Sequence, residues 1–152
     1  MKWSDSVRGF TIYAIGDTIA ALLLREFMWT RLAGIMLVGG VLYAWEIPTY
    51  FRWIDRRITG KWARATVAML YFNPVWIARH IAFIQLFSGR FDRLAWGLLR
   101  TGTWSFVCNL PVSLAGNYVI QNRIPARHRF LCSAIFSTLL AIYYAASARW
   151  FN

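Results

Sequence analysis

Five stretches of the chain are apolar on every helical face, and basic connectors that carry Gly or Pro separate them. A soluble helix gathers its apolar side chains into one stripe, so all-round apolar segments predict helices that lie in lipid. The plainest is 130–148, nineteen residues without a charge, close to the roughly 20 that cross a bilayer core. Next comes 101–121, also uncharged but interrupted by Asn109, Pro111 and Asn117. The other three hold polar groups at membrane depth. Segment 10–24 contains Gly16 and Asp17, segment 32–50 contains Glu46 and Pro48, and segment 63–88 contains Asn73, Pro74, Arg79, His80 and Gln85. All three read as helices, the first short enough that partial insertion stays open. The expected architecture is a single transmembrane domain over 1–152, an all-α integral membrane helical bundle with four or five transmembrane helices.

Composition sharpens this. The 152 residues are 59% hydrophobic, 18% aromatic and only 15% charged, which is too apolar for an ordinary soluble domain. Nine Trp, seven Tyr and eleven Phe also exclude a solvated, disordered tail. The net charge of +11 would fit a nucleic-acid partner, but the seventeen Lys and Arg sit in clusters between apolar runs rather than along one face. An anionic lipid surface attracts such juxtamembrane cations at about 1 kcal/mol each, so the bilayer accounts for them and no nucleic acid is expected. Cys108 and Cys132 fall inside apolar runs with no paired spacing, and read as core packing rather than as a disulfide or zinc site.

Loop charge sets an orientation if all five segments cross. One side would hold Lys2, Arg8, Arg52, Arg56, Arg57, Lys61, Arg64, Arg123, Arg127 and Arg129, and the other Arg25, Arg31, Arg90, Arg93, Arg100 and Arg149. Ten against six places the N-terminus inside. Trp3, Trp29, Trp53, Trp62, Trp96 and Trp150 fall near segment ends, where amphipathic rings prefer the headgroup level. Asp17 interrupts the first apolar run and no small-residue cleavage site follows it, so the chain reads as mature and as a multi-pass protein of a bacterial or organellar inner membrane.

In order along the chain stand Gly16-Asp17 with Glu26 after them, Phe51-Arg52-Trp53-Ile54-Asp55-Arg56 with Gly60-Lys61, Phe72-Asn73-Pro74, and Pro111 with Asn117-Tyr118, Pro125 and Arg129. This series resembles the Mpv/PMP family of small mitochondrial and peroxisomal membrane proteins, described as channel-like. Leu110 stands where that family has Trp, and Ile142-Tyr143-Tyr144 where it has Trp-Asn. A weaker resemblance links Asp17-Thr18, Arg31-Leu32, the Tyr50 to Arg57 run and Pro74-Val75-Trp76 to bacterial L-alanine exporters. Both resemblances imply a small polytopic membrane protein that handles solutes.

An ionisable group at the bilayer centre costs at least roughly 2.5–3.5 kcal/mol on insertion scales, so Asp17, Glu46, Arg79 and His80 should face helices or water. Asp17 reads either as a salt-bridged packing residue or as pore lining, and Glu46 as an interfacial carboxylate. Pairing of Arg79 with Asp17 or Glu46 would serve equally as a lock or a gate. Pro74 and Pro111 should kink their helices and, with Asn73, Asn109 and Asn117, bring free polar groups to mid-depth. The expected polar path joins Asp17, Asn73, Arg79 and Asn117, with His80 and Asn109 as further candidates. Gly34, Gly39 and Gly40 should permit close helix approach. No nucleophile and base pair, metal-ligand spacing or phosphate cradle is present, so neither an enzyme nor a cofactor is expected. The reading is a channel or transporter for small solutes, in a homo-oligomer or a larger membrane complex. Its alternative is a structural accessory subunit packed against such a complex.

Overall fold

The computed structural model describes residues 3–150, with the backbone alone at 141 and 144–150. Lys2 lies outside the described residues, as do the side chains of Arg149 and Trp150. Helices follow one another along the chain: α1 (Trp3–Leu23), α2 (Trp29–Leu37), a π-helical turn (Val38–Tyr43), α3 (Ala44–Arg57), α4 (Lys61–Tyr71), α5 (Pro74–Phe87), a 3-10 turn (Phe91–Arg93), α6 (Gly97–Asn122) and α7 (Ala126–Trp150). Among the described residues there is no strand. The all-α expectation therefore holds. α2, the π turn and α3 form one rod of 29 residues, and α4 with α5 a second of 27; these two are long and apolar enough to cross a membrane.

Two helix ends are built alike. After α1, Arg25 takes a left-handed conformation (φ 57°), its N–H bonds the Leu22 carbonyl at 3.1 Å, and the Glu26 N–H bonds the Ala21 carbonyl at 2.8 Å. After α5, Gly89 (φ 68°) bonds Leu86 at 3.1 Å and Arg90 bonds Gln85 at 2.9 Å. Both are Schellman ends, which satisfy carbonyls left over by the helix and aim the following residue back along it. The two residues so aimed, Glu26 and Arg90, meet in an ion pair of 3.0 Å. At the opposite end Asp55 accepts from Arg64 and, at 2.6 Å, from Arg129, while the Asn122 amide donates to the Lys61 carbonyl at 3.1 Å. The connectors 51–64 and 122–129 thus share one end of the bundle, and the 24–31 and 88–96 connectors the other.

α1 packs on α2, the π turn and α7, and α6 packs on α4, α5 and α7. The core gathers Tyr13, Tyr43, Ile47, Ile54, Phe72 and Ile77. At one crossing the backbones almost touch: a Cβ added at Gly9 would collide with the Gly39 carbonyl on the π turn. Gly34 lies against the Phe87 ring and Gly40 against the Phe10 ring, so the three glycines singled out above all sit at close helix approaches.

Polar residues are buried beside the apolar core, and large apolar ones face outward. Ser105, Ser113, Asn117, Gln121 and Ser133 are buried, while Leu22, Leu37, Leu70, Val112, Val119 and Leu139 are exposed. Trp3, Trp29, Trp53, Trp62 and Trp96 all point outward from near helix ends. The thiols are not both core residues: Cys132 is half-buried against the core, but Cys108 is exposed on α6 between Val107 and the outward face that holds Val112. An apolar run says that a thiol avoids water, and on a helix with a polar inner face that sends it outward.

Candidate functional site

α6 carries the most regular feature of the molecule. Thr101, Ser105, Asn109, Ser113, Asn117 and Gln121 recur at every fourth position and none is more than 7% exposed. Gly102 lets α6 approach α5 so closely that an added Cβ would press on the Pro74 carbonyl at 2.5 Å. At 1.5 Å per residue the row is about 30 Å long, the thickness of a bilayer core. Some of its polarity is used internally: the Asn117 amide donates to the Ser113 carbonyl at 2.9 Å. The Asn117 Oδ1 and both polar atoms of the Gln121 side chain have no hydrogen-bond partner among the described residues. Buried amides left so are satisfied in folded proteins by water or a bound polar molecule.

Asp17 lies elsewhere. It accepts a forked interaction from Arg31, Nε to both carboxylate oxygens at 3.0 Å and Nη2 to Oδ1 at 2.6 Å, with both side chains at most 5% exposed. Arg31 also stands 4.0 Å from Glu26, which holds Arg90. The pair fastens α1 to α2 near the end where the 24–31 connector lies. A planar guanidinium matches a carboxylate bidentately, the strongest arrangement available to such a pair.

Arg79 pairs with Glu46, at 2.9 Å and 2.7 Å to its two oxygens, and its guanidinium lies 5.6 Å from the Tyr43 ring centroid. The Tyr71 hydroxyl adds a 2.6 Å bond to the same carboxylate. Glu46 is therefore a clasp between α3 and the α4–α5 rod. Asn73 lines the same pocket of about 330 Å³ as Glu46, Tyr71 and Arg79. Its own role is local: its side chain accepts the Trp76 N–H at 3.0 Å and caps α5.

Pro74 does not kink a helix as expected. It occupies the first turn of α5, where its missing N–H would be unpaired anyway, so the rod breaks after Tyr71 and restarts. Pro111 lies within α6, which runs on uninterrupted from Gly97 to Asn122. His80 is buried, with Nδ1 3.1 Å from the Tyr43 hydroxyl and its ring stacked on Trp76 at 5.5 Å.

The four residues expected on one path are thus divided. Asn73 and Arg79 share the side pocket, Asn117 belongs to the α6 row, and Asp17 has its own partner. Residue-by-residue reading missed Arg31, which looked like a loop charge, although a short connector returns it beside the acid of α1. It also missed Thr101, Ser105, Ser113 and Gln121, whose spacing from Asn109 and Asn117 was there to be counted. Among the described residues, no three or more His, Cys, Asp or Glu gather where they could hold a metal ion. Comparison with known protein families, curated proteins and solved structures gives no match.

Proposed function

We propose that the chain is a multi-pass protein of a bacterial or organellar inner membrane, crossing five times with its N-terminus inside, and that it passes small polar solutes along the α6 row. The observation that carries this reading is the inversion on α6: six polar residues inward over about 30 Å, with Trp104, Val107, Val112 and Val119 outward. Lipid rewards that arrangement and water does not, because hydrocarbon cannot satisfy polar side chains. The unpartnered amide atoms of Asn117 and Gln121 offer donors and acceptors without a fixed charge, which favours uncharged or zwitterionic solutes over ions. The order of motifs, which resembles that of the Mpv/PMP family and more weakly that of the L-alanine exporters, is consistent with the same class. The Asp17–Arg31 and Glu46–Arg79 pairs act in this reading as locks that keep the helices in register around the row.

Topology is tested with single cysteines at Thr59 and Ala126 in a chain carrying Cys108→Ser and Cys132→Ser. Both added positions are exposed. An impermeant thiol reagent should label neither from outside intact cells or organelles and both after permeabilisation. Labelling of either from outside contradicts the five-span orientation.

Conduction is tested by stopped-flow swelling of reconstituted vesicles with glycerol, erythritol or alanine as the osmolyte. Asn117→Leu and Gln121→Leu should slow entry roughly tenfold or more, the effect of about 1.4 kcal/mol on a barrier. Val112→Leu and Val119→Leu, on the outward face, should leave it unchanged. A well-folded wild-type protein that adds nothing to the permeability of empty vesicles sinks the channel reading and puts the accessory subunit first.

A further inference from the structure

Three segments distant in sequence enclose a cavity of about 410 Å³ at the end of the bundle that holds the basic connectors. The first turns of α1 and α7 and the last turns of α3 supply Arg8, Arg52, Arg127 and Arg129, against two carboxylates, Asp5 and Asp55. Both acids are already engaged. Asp5 lies 3.7 Å from Arg8, and Asp55 serves Arg129 and Arg64 together. Arg52 donates to the Thr49 hydroxyl at 2.9 Å and Arg127 to the His128 ring at 3.0 Å, so neither has a carboxylate among the described residues. Both are exposed, while the wall beneath them is apolar, formed by Pro48, Phe51 and Phe130. Charge above and hydrocarbon below is the profile of a phospholipid at its glycerol level. The exposed rings of Trp3, Trp53 and Trp62 on the same end mark that level independently.

We infer that this cavity is a site for the phosphodiester headgroup of an anionic phospholipid from the inner leaflet, held chiefly by Arg52 and Arg127. The planar guanidinium fork is opposite in charge to a phosphodiester and can donate to two of its oxygens at once. Basic loops that only set topology need to lie on the correct side of the membrane; they have no need to converge on one cavity from residues 4–8, 48–55 and 126–130. The site rests on the membrane reading but not on conduction, so loss of one leaves the other standing.

The test uses the full chain in a neutral detergent, read by native mass spectrometry and by thermal melting. Phosphatidylglycerol should bind and raise the melting temperature, and phosphatidylcholine should do neither. Arg52→Gln with Arg127→Gln should weaken phosphatidylglycerol binding roughly tenfold or more. The exposed pair Arg56→Gln with Arg57→Gln, at the same end but outside the cavity, should not. Melting in detergent alone shows that each variant is folded. Equal loss from both pairs would reduce the effect to diffuse surface attraction and overturn the site. Equal binding of phosphatidylcholine would overturn headgroup selection, and displacement of the lipid by excess inorganic phosphate would reassign the cavity to a soluble anion.

Discussion

Arg31→Met should lower the stability of the solubilised protein by about 3–5 kcal/mol, the cost of removing one partner from a buried ion pair. The substitution keeps most of the packing volume, and what it removes is the fork of hydrogen bonds on a carboxylate only 5% exposed. No other cation pairs with Asp17 among the described residues, and Glu26 nearby carries the same sign of charge. Asp17→Asn should also be damaging, since it leaves Arg31 with only the more distant Glu26. Replacing both, Asp17→Leu with Arg31→Met, removes the stranded charges and should recover most of the loss. Thermal melts of the four proteins form a double-mutant cycle that isolates the pair. An Arg31→Met protein that melts like the wild type would show that α1 and α2 are held by something else.

Gly9→Leu should be comparably severe, for a steric reason. Overfilling a core costs typically about 1–3 kcal/mol when side chains can move aside. At Gly9 the obstacle is the Gly39 carbonyl, fixed in the π turn, so α1 itself would have to withdraw. At Gly40 the atoms nearest an added Cβ belong to the Phe10 side chain rather than to backbone, so Gly40→Ala should cost less. Gly97→Ala meets nothing within 4 Å and should cost nothing measurable. The order Gly9, Gly40, Gly97 in the loss of melting temperature is the expected result. A Gly9→Leu melt equal to that of Gly97→Ala would place the two helices further apart than described.

How much of this was legible in the sequence depended on whether the signal was continuous. The uncharged runs at 101–121 and 130–148 gave α6 and α7 to within a few residues, because charge returns only at the flanking polar connectors, and α6 accommodates Pro111 without ending there. Segment 63–88 gave the second long rod but not its break. Asn73-Pro74 has the same composition whether Pro bends a helix or begins one, and only the cap from Asn73 to Trp76 decides. Pairing was the least legible layer. Arg79 had two carboxylates to choose from, and the choice of Glu46 follows from the packing of α3 on the α4–α5 rod, which no local pattern encodes. Arg31 was hidden by its position next to a connector, where a cation needs no explanation.

Burial along α6 repeats every four residues, whereas an α-helix turns once in 3.6. Each step of four therefore advances about 40° around the axis, and the row from Thr101 to Gln121 sweeps about 200°. For all six residues to stay covered, the neighbours must follow that sweep. α5 closes on the row at Gly102, and α4 at the other end, where Trp62 packs on Tyr118 with ring centroids 4.6 Å apart and Asn122 reaches Lys61. Any passage along these residues is a right-handed screw of about half a turn, not a straight bore. The helix covering the row changes from α5 to α4 along its length, and the break at Asn73-Pro74, beside Gly102, is where that change falls.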